Sequence, residues 1–196
     1  MWQAVFGDLR PGCPSSEAEI ARAEEELGFA LPDSYRSFCR DCGAGLAGGL
    51  IRIATPLPFE AADLVTRGGL IAHSVGSAAQ ALAANPAFAD RPFRFDVAGD
   101  DPSVLDRAFF FGETLDGAFL FWDVRGTGEY DIWVMGADLE SVRFGAESLD
   151  ELFRALQGPR AGAILGPEAE PLPSRFEGIE EAVLARAGAP ANPDAP

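Results

Sequence analysis

The 196-residue sequence contains no lysine: all 15 of its basic residues are arginine. That absence removes the phosphate-loop lysine, the Schiff-base lysine and the kinase lysine, because each of those chemistries needs a primary amine at one fixed place. Histidine occurs once, at position 73, which excludes H-E-x-x-H and every multi-histidine metal site. No G-x-S-x-G is present, and the cysteines are three (Cys13, Cys39 and Cys42), an odd number that argues against a disulfide framework. No stretch approaches the ~18 uninterrupted apolar residues of a membrane span. The opening residues lack the order of a secretory signal, so the expected location is the cytoplasm. Positive charge is also scarce relative to negative, the net charge being −16. Such a field repels phosphate backbones and anionic membrane surfaces, so nucleic acid and membrane are excluded as expected partners and a basic protein is favoured.

What is present is a foldable pattern. An apolar fraction of 47% supplies a core. Ser16-Glu17-Ala18-Glu19 is a capping box that opens a helix with Ile20, Ala23 and Leu27 on one side and Gly28 as its stop. After a Leu31-Pro32 link, a second helix begins at Pro32 or Asp33 and places Tyr35, Phe38, Cys39 and Cys42 on one stripe before Gly43. The C-x-x-C of Cys39 and Cys42 therefore sits at the C-terminal end of a helix, where the macrodipole disfavours a thiolate, and a redox pair is better placed at the opposite end. Packing is the favoured reading, cysteine being among the most buried residue types. The alternative is a metal-binding or thiol-dependent enzyme built on Cys13, Cys39, Cys42 and His73.

Further along, the alternation from Leu50 to Thr55 predicts a strand, and Gly68-Gly69 predicts a break between two short helices, 59–66 and 74–84, with His73 between them. Residues 92–98, 107–114, 117–124 and 129–136 then read as aromatic-rich strands joined by short turns, with a further strand at 141–144. Ser148-Leu149-Asp150-Glu151 is a second capping box. Residues 158–173 shift to Gly, Pro and Ala, a linker or extended arm, and a last helix is expected over 174–187 ahead of a frayed tail. The domain division is thus 1–157 and a C-terminal arm, 158–196.

Strand periodicity sets Phe119, Phe121 and Asp123 on one face and Leu120, Trp122 and Val124 on the other. Both faces of the middle strands are apolar. Helices cover one, and the other is left to the inserted segment, the C-terminal arm or another molecule. The many carboxylates nearby suit turn caps better than a paired-carboxylate hydrolase or a calcium site, since no spacing singles out an acid and a base. An aromatic surface interleaved with acids also suits a protein partner, and the candidate contacts are Glu113, Asp116, Asp123, Glu129, Asp131 and Trp133.

The order of these features resembles one known family. "SSEAEIARAEEELGFALPDSYRSFCRDCGAG" is similar to the opening helix pair of the SMI1/KNR4, or SUKH, superfamily, and "FRFDVAG", "AFLFWDVRGTGEYDIWVMGADLESV" and "ESLDELFRAL" are similar to its later strands and closing helix. The likeness runs from about residue 10 to 157, departing at Cys39 and Cys42 and in a longer 56–90 segment. It implies an α+β fold with a mostly antiparallel central sheet of about five or six strands flanked by helices. It also implies a non-enzymatic role, typically an immunity protein that neutralises a cognate polymorphic toxin by occluding its active surface; on the residues themselves no cofactor or metal is expected. A general regulatory scaffold is the remaining alternative.

Overall fold

The computed structural model describes residues 1–86, 93–99 and 101–187. Helix α1 (Glu17–Leu27) opens with the expected box: Ser16 N–H donates to Glu19 Oε2 at 2.8 Å, and Glu19 N–H returns to Ser16 Oγ at 3.3 Å. Gly28, at φ 76°, closes it in the left-handed conformation that glycine adopts without a Cβ penalty. Helix α2 (Asp33–Asp41) buries Tyr35, Phe38 and Cys39 on one stripe, continued by Cys42 just past its end. The two helices are tied on their outer side by Arg40 to Glu17 at 2.7 Å.

Nine strands form one sheet among the described residues: β1 (Asp8–Arg10), β2 (Gly45–Ala47), β3 (Ile51–Ile53), β4 (Asp96–Val97), β5 (Ala108–Thr114), β6 (Phe119–Asp123), β7 (Ile132–Met135), β8 (Ser141–Ala146) and β9 (Arg175–Gly178). Their order is β1-β9-β2-β3-β5-β6-β7-β8-β4, antiparallel throughout except for the two outermost pairs, β1 with β9 and β8 with β4. The sheet is wider than the five or six strands expected because it gains β1, β2, β4 and β9, which are each two to four residues long. β2 lies inside the glycine-rich run after α2, where no periodicity marks a strand.

Three expectations are corrected. Gly68-Gly69 does not divide two helices: α3 (Leu64–Ala83) runs through both glycines, capped by Asp63, whose carboxylate accepts from Thr66 N–H at 2.9 Å. Gly68 is a packing position, since a Cβ there would lie 2.7 Å from Phe110 O and 2.8 Å from Phe109 Cζ on β5. The second capping box does not form. Helix α4 (Leu149–Leu156) has Ser148 before it, but the Ser148 hydroxyl turns to Asp150, and the Leu149 N–H is satisfied by Ser34 Oγ of α2 at 3.1 Å. The predicted helix over 174–187 is a strand followed by a shorter helix, β9 and then α6 (Glu181–Ala187).

The two faces of the sheet carry two cores. On one, Leu120, Trp122, Ile132 and Val134 pack with α1, α2 and α4, and an aromatic group of Trp2, Phe6, Phe38, Phe153 and Phe176 fills the end nearest β9. On the other, Phe110, Phe121, Trp133, Met135 and Val142 pack with Ile71 and Val75 of α3, Val97 of β4 and Val104 of a 3-10 turn (Pro102–Val104). The second apolar face is thus covered by the inserted segment. Residues 158–187 are built into the same body: α5 (Ala161–Leu165) follows Arg160, which donates to Gly145 O of β8, and Phe176 of β9 is fully buried.

Candidate functional site

The six acidic and aromatic candidates separate into two ends of the sheet and two depths. Glu113 is paired across β5–β6 with Phe119, whereas Asp123 is paired with Ala108 at the far end of β6. Four residues of strand, roughly 13 Å, separate them. Glu113 and Asp116 therefore belong to the β5–β6 turn end, and Asp123, Glu129 and Asp131 to the β6–β7 loop end.

Depth divides them further. Asp123 is fully buried, and a bare buried carboxylate is costly, so Arg107 meets it in a fork: Nε to Oδ1 at 2.5 Å and Nη2 to Oδ2 at 3.0 Å. Arg125 adds a second cation at 3.3 Å and reaches on to Asp131 at 3.4 Å. Trp133 is 8% exposed, paired with Phe121 in register and set edge-on to Phe144. Neither side chain is a surface contact; both hold the α3 face of the sheet. Glu129 is at the surface as a residue, yet its carboxylate accepts from Ser34 N–H and Ser34 Oγ, each at 2.7 Å. Since Ser34 Oγ in turn serves Leu149 N–H, this one carboxylate organises the start of α2 and of α4.

Glu113 is half-buried between Arg67 at 2.6 Å and Arg52 at 3.4 Å. Asp116 is exposed in the β5–β6 turn, where it accepts from the Thr114 hydroxyl. Beside it the structure brings out residues that sequence reasoning missed. Leu115 is 58% exposed, and Asp116 shares a surface hollow with Glu168 and Glu170 from the connection between α5 and β9. The readable signal was Leu115 itself, an apolar residue inside a turn, where strand alternation gives it no buried side.

The cysteines and the histidine are not assembled. Cys39 and Cys42 are fully buried in the helix-side core. Burial pushes the Cys39 thiol far up from its ordinary value. Cys42 is pushed up to about 12 by burial, with the Asp41 charge adding to it. Such thiols stay protonated and are poor nucleophiles and poor metal ligands. Cys13 is half-exposed and also raised, first by burial and then by Glu181 and Glu19. His73 lies on the exposed side of α3. Among the described residues no group of three or more His, Cys, Asp and Glu side chains is placed to hold a metal ion. Several of the remaining carboxylates do cap turns: Asp101 receives Ser103 N–H, and Asp138 receives the N–H groups of Glu140 and Ser141. Among the described residues no helix is long and apolar enough to cross a membrane.

Comparison with known proteins agrees with this architecture. No curated protein matches the chain in sequence. The family description SMI1 / KNR4 family (SUKH-1) matches residues 14–155, from two residues before the Ser16 cap of α1 to the last turn of α4. With about three quarters of its length matched, α1 and α2 first, the strand meander next and α4 last, the chain belongs to the SMI1 / KNR4 family (SUKH-1).

Proposed function

We propose that this protein is a binding module of the immunity type, which neutralises a cognate toxin protein by covering the surface the toxin needs for its own activity. The observation that carries the reading is family membership over residues 14–155. The net charge of −16 is consistent with it, because a field of that sign steers a basic partner and rejects nucleic acid. In this reading the protein binds and does not catalyse, and it works in the cytoplasm, where the toxin would find its target.

The contact surface best suited to that role is the β5–β6 turn end. Leu115 supplies an exposed apolar anchor next in sequence to Asp116, and Asp116, Glu168 and Glu170 supply an acidic border around an adjoining hollow, the elements of an anchor with a polar rim. Asp131, half-exposed at the other end, extends the acidic field without joining this patch. The test is a pull-down of the tagged full chain from cells that express the neighbouring genes, followed by co-expression with whatever protein is retained. Rescue of growth by the wild-type chain, and its loss in Leu115→Arg/Asp116→Arg with unchanged circular dichroism, is the expected result. Rescue that persists in that double variant overturns the assigned surface, and absence of rescue by the wild-type chain overturns the role for that pair. Weakening of the complex by salt should be marked, since rim charges act through screened attraction.

A further inference from the structure

A cavity of about 210 Å³ opens between α3, α6 and the part of the sheet where β3 meets β5. Its walls are mostly apolar: Ile71 from α3, and Ile179, Val183 and Leu184 from the end of the described chain, with the backbone of β3 and β5 as its floor. Its polar side is cationic in excess. Arg52 and Glu113 are cross-strand partners in register, and Arg67 descends from α3 onto the same carboxylate oxygen, so two guanidinium groups share one carboxylate. Arg67 holds Glu113 tightly at 2.6 Å. Arg52 is farther, at 3.4 Å, and its side chain is 46% exposed, which leaves N–H donors turned to the opening. In a chain with about twice as many acids as arginines, this is a local inversion of sign.

The outer wall is not part of the family's matched region. Ile179, Val183, Leu184 and Ala187 all follow residue 155, so it is the C-terminal segment, folding back through β9, that turns an open stretch of sheet into an enclosed space. The size sets the guest. An apolar cavity of about 150 Å³ holds benzene, so this one fits a phenyl ring with a short chain, or about eight carbons of aliphatic chain. Apolar walls with a cationic mouth select a guest with an apolar body and one negative end.

We propose that this cavity binds a small carboxylate amphiphile, its hydrocarbon body against Ile71, Ile179, Val183 and Leu184 and its carboxylate on Arg52, with Arg67 held by Glu113 behind it. The site is independent of the toxin-binding reading and stands or falls without it. The test titrates the full chain with octanoate and with the uncharged octanamide, read by calorimetry and by chemical-shift changes. Saturable binding of both is expected, with octanoate favoured about tenfold by its charge-assisted hydrogen bonds. Arg52→Gln should remove that preference and leave octanamide affinity unchanged. Val183→Glu, at a side chain 48% exposed on α6, should weaken octanoate most, without loss of helical signal. Failure of either ligand to saturate the wild-type chain overturns the site. A preference for octanoate that survives Arg52→Gln overturns the assigned role of the arginine.

Discussion

Glu129 is a surface residue whose carboxylate works inward, and replacing it separates a fold role from a contact role. Glu129→Ala removes the acceptor for Ser34 N–H and Oγ, which also positions the Ser34 oxygen for Leu149 N–H, and should cost about 1–2 kcal/mol in urea denaturation. Glu129→Gln, which keeps an acceptor, should cost less. The buried thiols make a prediction of opposite pH sense to that of a carboxylate. A thiol of raised folded pKa contributes fully below its unfolded value of about 8.5, and that contribution drains away as pH climbs toward about 12 for Cys42. The unfolding free energy from urea denaturation should therefore fall between about pH 8.5 and 10.5, by up to about 1.4 kcal/mol per pH unit for each thiol. The slope should flatten in Cys39→Ala/Cys42→Ala. A remaining slope above about pH 10 belongs to Tyr35 and Tyr130, whose phenols are raised by burial while their hydroxyls donate to Ala54 O and Ala30 O. The packing stripe that buries Cys39 and Cys42 was readable in the sequence because it repeats at i, i+3, i+4 and i+7. The Glu129–Ser34–Leu149 relay was not, because its members lie 95 and 115 residues apart and no local pattern encodes such a meeting.

At the scale of elements, α3 turns on two adjacent glycines with different duties. Gly68 faces β5 at a distance that leaves no room for a methyl group, whereas a Cβ on Gly69 would meet nothing within 4 Å. Gly69→Ala should stabilise the protein by about 0.5–1 kcal/mol through helix propensity, and Gly68→Ala should destabilise it by about 1–3 kcal/mol through overpacking. Opposite shifts in the thermal midpoint of the two variants check this, and shifts of equal sign would contradict the close approach. The pair read as a break because composition carries no record of which glycine a strand will touch. The same limit explains β9. Phe176, Ile179, Val183 and Leu184 fit a helical stripe, but strand pairing on both sides, with β1 and with β2, overrode local preference. Where periodicity and length coincide, as in α1, α2, β5 and β6, the sequence was a sufficient guide.

At the scale of the whole molecule, the sheet is a closed arrangement of early and late chain. Phe176 of β9 is fully buried, with ring centroids 5.6 Å from Phe6 and 5.5 Å from Phe38, and Phe176→Ala should cost about 3–5 kcal/mol in chemical denaturation. A cost under about 1 kcal/mol would mean that β9 is an ornament on a self-sufficient body. The α+β class was legible through the family resemblance, and alternation in the central strands showed that both sheet faces are apolar while leaving open what covers the second. The acidic candidates were legible as a composition and not as a place, because alternation tells which face a residue takes and not which helix lies over it. Asp123 and Trp133 accordingly turned inward, while Asp116, Glu168 and Glu170 came together around one hollow from separate parts of the chain. The position of β9 also orders events in time. During synthesis β2 emerges some 130 residues before its neighbour β9, and for all that interval one side of it offers unpaired N–H and C=O groups to any passing strand. A nascent chain halted before residue 175 keeps that side open and is marked for aggregation or capture by chaperones. Arrival of the four residues of β9 seals it, so this side of the sheet closes only after the chain has run through residue 178.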